Sequence, residues 1–277
     1  MSARLAEVRG IEVGAERPLV IIAGPCVIES EAIVRNIARQ LRDLTASLRL
    51  PLIFKASFDK ANRNSLKSYR GPGLKEGLPV LKGVGEEFGL ALVTDIHEPW
   101  QAAEASAVVD LVQIPAFLCR QTDLVVEAAR HARALNIKKG QFLSPEQMGP
   151  IADKARAAGA RNILLTDRGV TFGYGDLIAD MRAIPRLQKL GYPVVFDATH
   201  SVQKPGGLGE QSGGEGHLAP TLARAAVAAG ADAVFMEVHE TPEQALSDGP
   251  NMIRLSALPE LLTTLKTLRE LCGRFAP

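Results

Sequence analysis

Four residues with metal-ligand chemistry, Cys26, His200, Glu237 and Asp248, lie far apart in this chain, and three of them sit at or just past the end of a strand-like apolar run. One thiolate, one imidazole and two carboxylates suit Zn, Fe(II) or Mn, and ligand type alone does not choose among these ions. A second set is cationic: Lys55, Lys60 and Arg63 follow one apolar run, Arg120 another, Lys138 and Lys139 close a third, and Arg168 follows a fourth. Cations gathered at strand ends imply an anionic ligand, because Arg forks and Lys point charges pair with phosphate or carboxylate. The plainer reading makes each a solvated charge or a salt-bridge partner for Asp59, Asp95, Asp123 or Asp167. A lone Cys is likewise more often a small buried hydrophobe than a ligand, which suits Cys119 and Cys272. Cys26 differs, since Gly24 and Pro25 place it in a tight turn leaving its strand.

These side chains meet only if the elements carrying them converge. Eight short Val/Ile/Leu-rich runs, at 19–23, 52–56, 92–96, 111–116, 136–139, 162–166, 194–198 and 233–238, each stop at polar residues and lead into a helix-length segment. Near-continuous hydrophobicity is what strands covered on both faces require, as in a parallel sheet. Segments 124–134, 146–158, 218–229 and 258–274 carry apolar residues at helical spacing. Eight alternations in 277 residues predict a single-domain (β/α)8 TIM barrel over 1–277, with a doubly wound open sheet as the competitor. A short N-terminal β-hairpin around 8–13, bracketed by Gly10 and Gly14, would close the barrel bottom. Closure makes the first and last strands neighbours, so Cys26, His200 and Glu237 project from adjacent positions, with Asp248 on the loop beyond and His239 as a reserve ligand. The loops after the strands build the active site of such barrels.

Composition sets the remaining bounds. A net charge of +1, 46% apolar residues and no apolar stretch near the roughly 18 residues of a membrane span predict a soluble protein with no membrane partner. The first residues include Arg4, Glu7 and Arg9 and lack the apolar core of a secretory signal, and three cysteines cannot all pair internally, so a reducing cytoplasm is the expected location. No basic run points to nucleic acid. Six glycines between Gly206 and Gly216 crowd a segment just after His200, which reads equally as a lid over the mouth or as a disordered loop.

Longer motifs then carry a family likeness: AGPCVIES at 23–30, FKASFDKANRNSLKSYRGPG at 54–73, TDIHEP at 94–99, QIPAFLCRQTDL at 113–124, NIKKGQF at 136–142, DRGVTFGYGDL at 167–177, DATHSVQKPGG at 197–207 and FMEVHETPEQALSDGPN at 235–251. From first strand to last helix the chain resembles the 3-deoxy-D-manno-octulosonate 8-phosphate (KDO 8-phosphate) synthase family. The resemblance implies condensation of phosphoenolpyruvate with D-arabinose 5-phosphate and water, with release of phosphate, toward the sugar core of bacterial lipopolysaccharide. It implies that Lys138 and Arg168 hold the phosphoenolpyruvate phosphate, that Lys55 and Lys60 lie near its carboxylate, and that Gln113 and Ala116 line the pocket. Asn62 and Asp95 would contact sugar hydroxyls, and Arg63 the sugar phosphate, joined by Arg120 of a neighbouring subunit in a homotetramer. Lys60, Asp95 and His200 are the implied catalytic residues. Asn64 stands where the family commonly has a serine on the sugar phosphate; its amide can still donate. The family divides into a metal-dependent class with cysteine at position 26 and a metal-independent class with asparagine, so Cys26 implies a divalent metal on Cys26, His200, Glu237 and Asp248. The alternatives are a 3-deoxy-D-arabino-heptulosonate 7-phosphate synthase, which typically has a KPRTS-like stretch where this chain reads KANRNS, and a non-catalytic metal and sugar-phosphate sensor.

Overall fold

All eight expected runs are strands of one closed parallel barrel: β1 (Val20–Gly24), β2 (Leu52–Lys55), β3 (Ala91–Asp95), β4 (Leu111–Ile114), β5 (Ala134–Lys138), β6 (Asn162–Asp167), β7 (Val194–Asp197) and β8 (Ala233–His239). The computed structural model describes residues 4–273 except 64, 173, 209 and 210. β8 pairs with β7 through Val195↔Ala233 and with β1 from Ala233↔Val20 to Glu237↔Gly24, which closes the sheet and excludes the open doubly wound alternative. Eight α-helices among the described residues surround it: α1 (Glu31–Leu48), α2 (Leu74–Phe88), α3 (Gln101–Ser106), α4 (Thr122–His131), α5 (Met148–Ala157), α6 (Ala183–Gln188), α7 (Ala219–Ala228) and α8 (Leu258–Gly273). None is long and apolar enough to cross a membrane. α4 stops at His131, short of the expected 134, because Ala134 and Leu135 are claimed by β5.

Alternation along the strands divides the apolar residues into two layers. Leu19, Ile21 and Ala23 face outward to the helices, while Val20 and Ile22 join Ile53, Val93, Leu111, Leu164, Val195 and Phe235 inside the barrel. The inner layer is completed from below by Ala6, Val8 and Val13 of the N-terminal hairpin, whose strands Leu5–Val8 and Ile11–Gly14 extend beyond the expected 8–13. Arg9 and Gly10, at φ +49° and +78°, make its two-residue turn, the positive-φ geometry that matches strand twist. The hairpin thus plugs one end of the barrel and leaves the other open to chemistry.

The glycine-rich segment forms an antiparallel ribbon of strands Gln203–Leu208 and Gln211–Gly214, with Lys204 opposite Gly213.

Candidate active site

The same two-residue period that builds the inner core also builds the site. Counting on from inward-facing Ile22, Ile53, Val93, Leu111, Leu164, Val195 and Phe235 gives Gly24, Lys55, Asp95, Gln113, Thr166, Asp197 and Glu237, and from Ala134 it gives Asn136 and Lys138. At the C-terminal end of the barrel the interior therefore changes from apolar to polar within one layer. Phe235 is the floor, with the Lys138 ammonium 3.8 Å above its ring centroid. Above it opens a cavity lined by Lys55, Lys60, Asp95, Lys138, Arg168 and His200, with Asn62, Gln113, Ala116, Gln203, Glu237 and Asp248 on its walls.

Glycine at position 24 is a steric requirement. A Cβ there would lie 1.8 Å from the Lys55 carbonyl oxygen, so β1 and β2 approach this closely only without a side chain. That approach brings the Lys55 ammonium to 2.6 Å from the Cys26 carbonyl and 2.5 Å from Glu237 Oε1, with Lys60 Nζ at 3.4 Å from the same oxygen. Across the cavity Asp197 accepts from Lys138 Nζ at 2.6 Å and lies 2.8 Å from His200 Nδ1, whose other nitrogen is 3.6 Å from Glu237 Oε2. Asp95 accepts from the Ser57 hydroxyl and sits 3.0 Å from His97 Nε2. Gln113 accepts from Asn136 Nδ2 at 3.1 Å, and Asn136 from the Thr166 hydroxyl at 2.6 Å, so the wall opposite is held by neutral amides.

Buried charges here hold one another. Burial alone would push the three carboxyls up, yet Lys55 and Lys60 hold Glu237 well below the usual carboxylate range. Lys60 and His97 do the same for Asp95, and His200 and Lys138 for Asp197. Burial also opposes the Lys60 charge, but the Glu237, Asp95 and Asp248 carboxylates carry its pKa well above the ordinary value. Lys138 and Arg168 are lowered by burial, against the pull of Asp197. Arg168 is the exception to mutual pairing. Its guanidinium donates to the His200 carbonyl and to Gln203 Oε1, both at 2.9 Å; its buried Nε has no partner, and it has no carboxylate ion pair among the described residues. A buried guanidinium without a counter-ion, facing a cavity, is a place for an anion.

The expected metal ligands converge in part. Donor atoms of Cys26, Glu237 and Asp248 all lie within 4.8 Å of one another, with the thiol 3.4 Å from Asp248 Oδ2 and 2.9 Å from the Ser247 hydroxyl. His200 approaches this group through Nε2, 3.6 Å from Glu237 Oε2, a buried oxygen with no hydrogen-bond partner among the described residues. The donor set and that orphaned oxygen fit a divalent cation. Burial and the Glu237 charge raise the Cys26 pKa, which keeps it a thiol in the absence of a cation; a bound cation favours the thiolate. Asp248 holds a left-handed backbone, φ +51°, a conformation Asp tolerates better than most residues. His239 is not drawn in: its Nδ1 accepts from the Thr241 N–H at 3.1 Å and its Nε2 faces Glu29 at 3.8 Å.

The model of the DAHP synthetase I family matches residues 3–273. This chain belongs to that family. Within the family it is similar to proteins of Geotalea uraniireducens (57% identical over 261 residues, 94% of this chain and 96% of the relative) and Pelobacter propionicus (56% over 259 residues, 94% and 95%). A Cyanothece protein is 55% identical over 259 residues, again 94% and 95% of the two chains. All three bear the name 2-dehydro-3-deoxyphosphooctonate aldolase.

Residue by residue, the structure places most of the expected site of a family member at one mouth, and three positions stand apart. Lys139 points away from it: fully buried, it pairs with Asp167 at 3.3 Å and donates to the carbonyls of Gly140, Leu143 and Gly169, which is the structural role weighed for such cations. Arg120 is exposed and does not line the cavity, and Asn64 lies outside the described residues. Arg63 sits at the rim, where it donates to the Ser247 hydroxyl and, at 3.1 Å, to the Tyr69 carbonyl, with Asp248 3.9 Å away. Asp197, Ser247, Ser57, Asn136 and Thr166 were not singled out by motif reading. The two-residue phase from Val195, Ala134 and Leu164 selects Asp197, Asn136 and Thr166, whereas nothing in the local pattern selects Ser57 or Ser247.

Proposed function

We propose that this chain, as one catalytic domain over 1–277, condenses phosphoenolpyruvate with D-arabinose 5-phosphate and water to give 3-deoxy-D-manno-octulosonate 8-phosphate and inorganic phosphate. The observation that carries the reading is Arg168, a buried guanidinium with no carboxylate ion pair among the described residues, in a cavity it shares with Lys138 and where Lys55 and Lys60 pair with Glu237 and Lys138 with Asp197. The names of relatives at 55–57% identity over nearly the whole chain support the same reading.

Arg168 and Lys138 bind the phosphoenolpyruvate phosphate, and Lys60, with Lys55 behind it, faces the carboxylate. Holding both anionic ends fixes C3 against the sugar aldehyde, whose chain extends past Asp95 and Asn62 toward Arg63 at the rim. C3 attacks the aldehyde carbon, water adds at C2, and the resulting hemiketal phosphate loses phosphate by C–O cleavage. The fixed ammonium and guanidinium groups stabilise the negative charge that develops on the aldehyde oxygen and on the departing phosphate. His200, oriented through Nδ1 by Asp197, presents Nε2 as a ligand to a bound ion or, without the ion, as the atom that moves a proton. A divalent ion held by Cys26, His200, Glu237 and Asp248 would polarise the aldehyde or lower the pKa of a water. Exposed Arg120 and exposed Phe117 beside the mouth support completion of the site by a second copy within a homotetramer, and the cysteine usage supports a cytoplasmic location.

The test is phosphate release from phosphoenolpyruvate with either arabinose 5-phosphate or erythrose 4-phosphate. Release with arabinose 5-phosphate is the expected result. A preference for erythrose 4-phosphate would move the chain to the heptulosonate reaction, and no release with either would overturn the reading.

A further inference from the structure

Between the phosphate half of the cavity and the metal half stands one carboxylate, Asp197, at the inward-facing end of β7 and fully buried. It accepts from four donors. Lys138 Nζ reaches Oδ2 at 2.6 Å; the His200 ring Nδ1 lies 2.8 Å from Oδ2 and 3.1 Å from Oδ1; the His200 backbone N–H reaches Oδ1 at 2.9 Å; and the Thr199 hydroxyl reaches Oδ1 at 3.3 Å. Thr199 Oγ1 in turn accepts from the Glu237 N–H at 3.1 Å. The carboxylate is thus bonded to Lys138, to both the ring and the backbone of His200, and through Thr199 to the strand that carries Glu237. A buried ion pair kept only for stability needs none of this convergence, since apolar side chains of similar size serve as well.

We propose that Asp197 is a positioning residue with two outputs: it locks the His200 ring with Nδ1–H on the carboxylate, so that Nε2 is the atom turned toward Glu237 Oε2 and the cation site, and it anchors the Lys138 ammonium on the phosphate side. An ionised carboxylate only accepts, so the ring nitrogen against Asp197 carries a proton, and Nε2 is the nitrogen left to a bound cation. An asparagine at 197 offers an N–H2 donor as well. It lets the ring turn its Nδ1 lone pair inward and place its proton on Nε2, where a cation cannot bind. The same change removes the charge that holds Lys138. One substitution therefore weakens divalent-cation binding and phosphoenolpyruvate binding together, although the two ligands lie on opposite sides of it.

The cation output rests on the proposed metal site; the tautomer and the Lys138 output do not, and the experiment separates them. Metal-free wild-type protein with 15N-labelled histidine, of which the chain has five, is examined by long-range 1H–15N correlation, with His200 assigned by its loss in His200→Gln. A proton on Nδ1 is expected, and a ring protonated on Nε2 alone overturns the proposal whatever Asp197→Asn does, including failure to fold. Asp197→Asn, with folding checked by circular dichroism, is then titrated with Zn against a chromophoric chelator and assayed for phosphate release. Expected are a 10–100-fold weaker Zn affinity, the scale of losing the partner of a ligand histidine, and a KM for phosphoenolpyruvate about tenfold higher, the scale of one hydrogen bond to a charged group. A folded variant with wild-type Zn affinity and wild-type KM overturns the proposal. If wild-type protein binds no Zn, the metal reading fails by itself, and the tautomer and the KM still decide the role of Asp197.

Discussion

Replacing Gly24 by alanine tests whether the close approach of β1 and β2 sets the geometry of the mouth. The added methyl would lie 1.8 Å from the Lys55 carbonyl oxygen and 2.8 Å from its carbon, both backbone atoms with no flexible end to yield. Ordinary contact is roughly 3.5 Å, so the strands must part by more than about 1 Å at this point. Their pairing immediately before it, Ala23↔Phe54, lies in the fully buried barrel wall and cannot absorb the shift freely. Overpacking of this kind costs about 1–3 kcal/mol, which for a domain of this size lowers Tm by roughly 2–10 °C. Function suffers more. The Lys55 ammonium now reaches Glu237 at 2.5 Å and the Cys26 carbonyl at 2.6 Å, and a shift of that size takes both contacts beyond hydrogen-bond range. A misplacement of about 1 Å costs on the order of a hundredfold in rate. Calorimetry and phosphate release on purified Gly24→Ala are the assays. A Tm within about 1 °C of wild type together with kcat/KM within about twofold would refute the steric reading, since those limits lie well inside the costs above.

Lys139→Met leaves buried Asp167 without its cation and, because breaking a buried pair costs about 3–5 kcal/mol, should shift the urea midpoint markedly while activity per folded molecule persists; an unchanged midpoint contradicts the ion pair. Asp95, Asp197 and Glu237 all have folded pKa values below their ordinary ones, so their stabilisation is complete above about pH 4.5 and is lost progressively as pH falls from there toward the depressed values. Urea midpoints should be flat from pH 7 to about 5 and fall steadily below; a midpoint that rises on acidification contradicts the sign. If Cys26 is the thiolate ligand proposed for it, Cys26→Asn puts a neutral amide in its place and should lower both Zn affinity and the dependence of turnover on added metal, read by chelator competition and by activity after chelation.

The strands were legible because both faces of a parallel barrel strand are buried, which leaves eight uninterrupted apolar runs. That same continuity hides phase. Lys138 and Lys139 end one run as neighbours, yet one faces the cavity and the other the outer layer, and only counting in twos from inward Ala134 separates them. Asp197 is hidden for the same reason, since it reads as a polar stop at the end of an apolar run. Cys26, Glu237 and Asp248 could be grouped because closure makes β8 the neighbour of β1, a consequence of strand count alone. The contacts of Ser247 with Cys26 and Arg63 join residues 221 and 184 positions away, and no local pattern records contacts of that span. The end of α4 is not legible in the sequence, because Ala134 and Leu135 suit the last turn of a helix as well as the first residues of a strand; pairing of Ala134 with Asn162 and Leu135 with Val112 decides for the strand.

The most direct measurement is phosphate release from phosphoenolpyruvate and arabinose 5-phosphate by wild-type protein shown by elemental analysis to be free of metal, before and after single divalent ions are restored. One assembled site of Cys26, His200, Glu237 and Asp248 beside the Arg168 and Lys138 phosphate pocket predicts no turnover until an ion is added and recovery once it is. Full activity in the metal-free protein would contradict it.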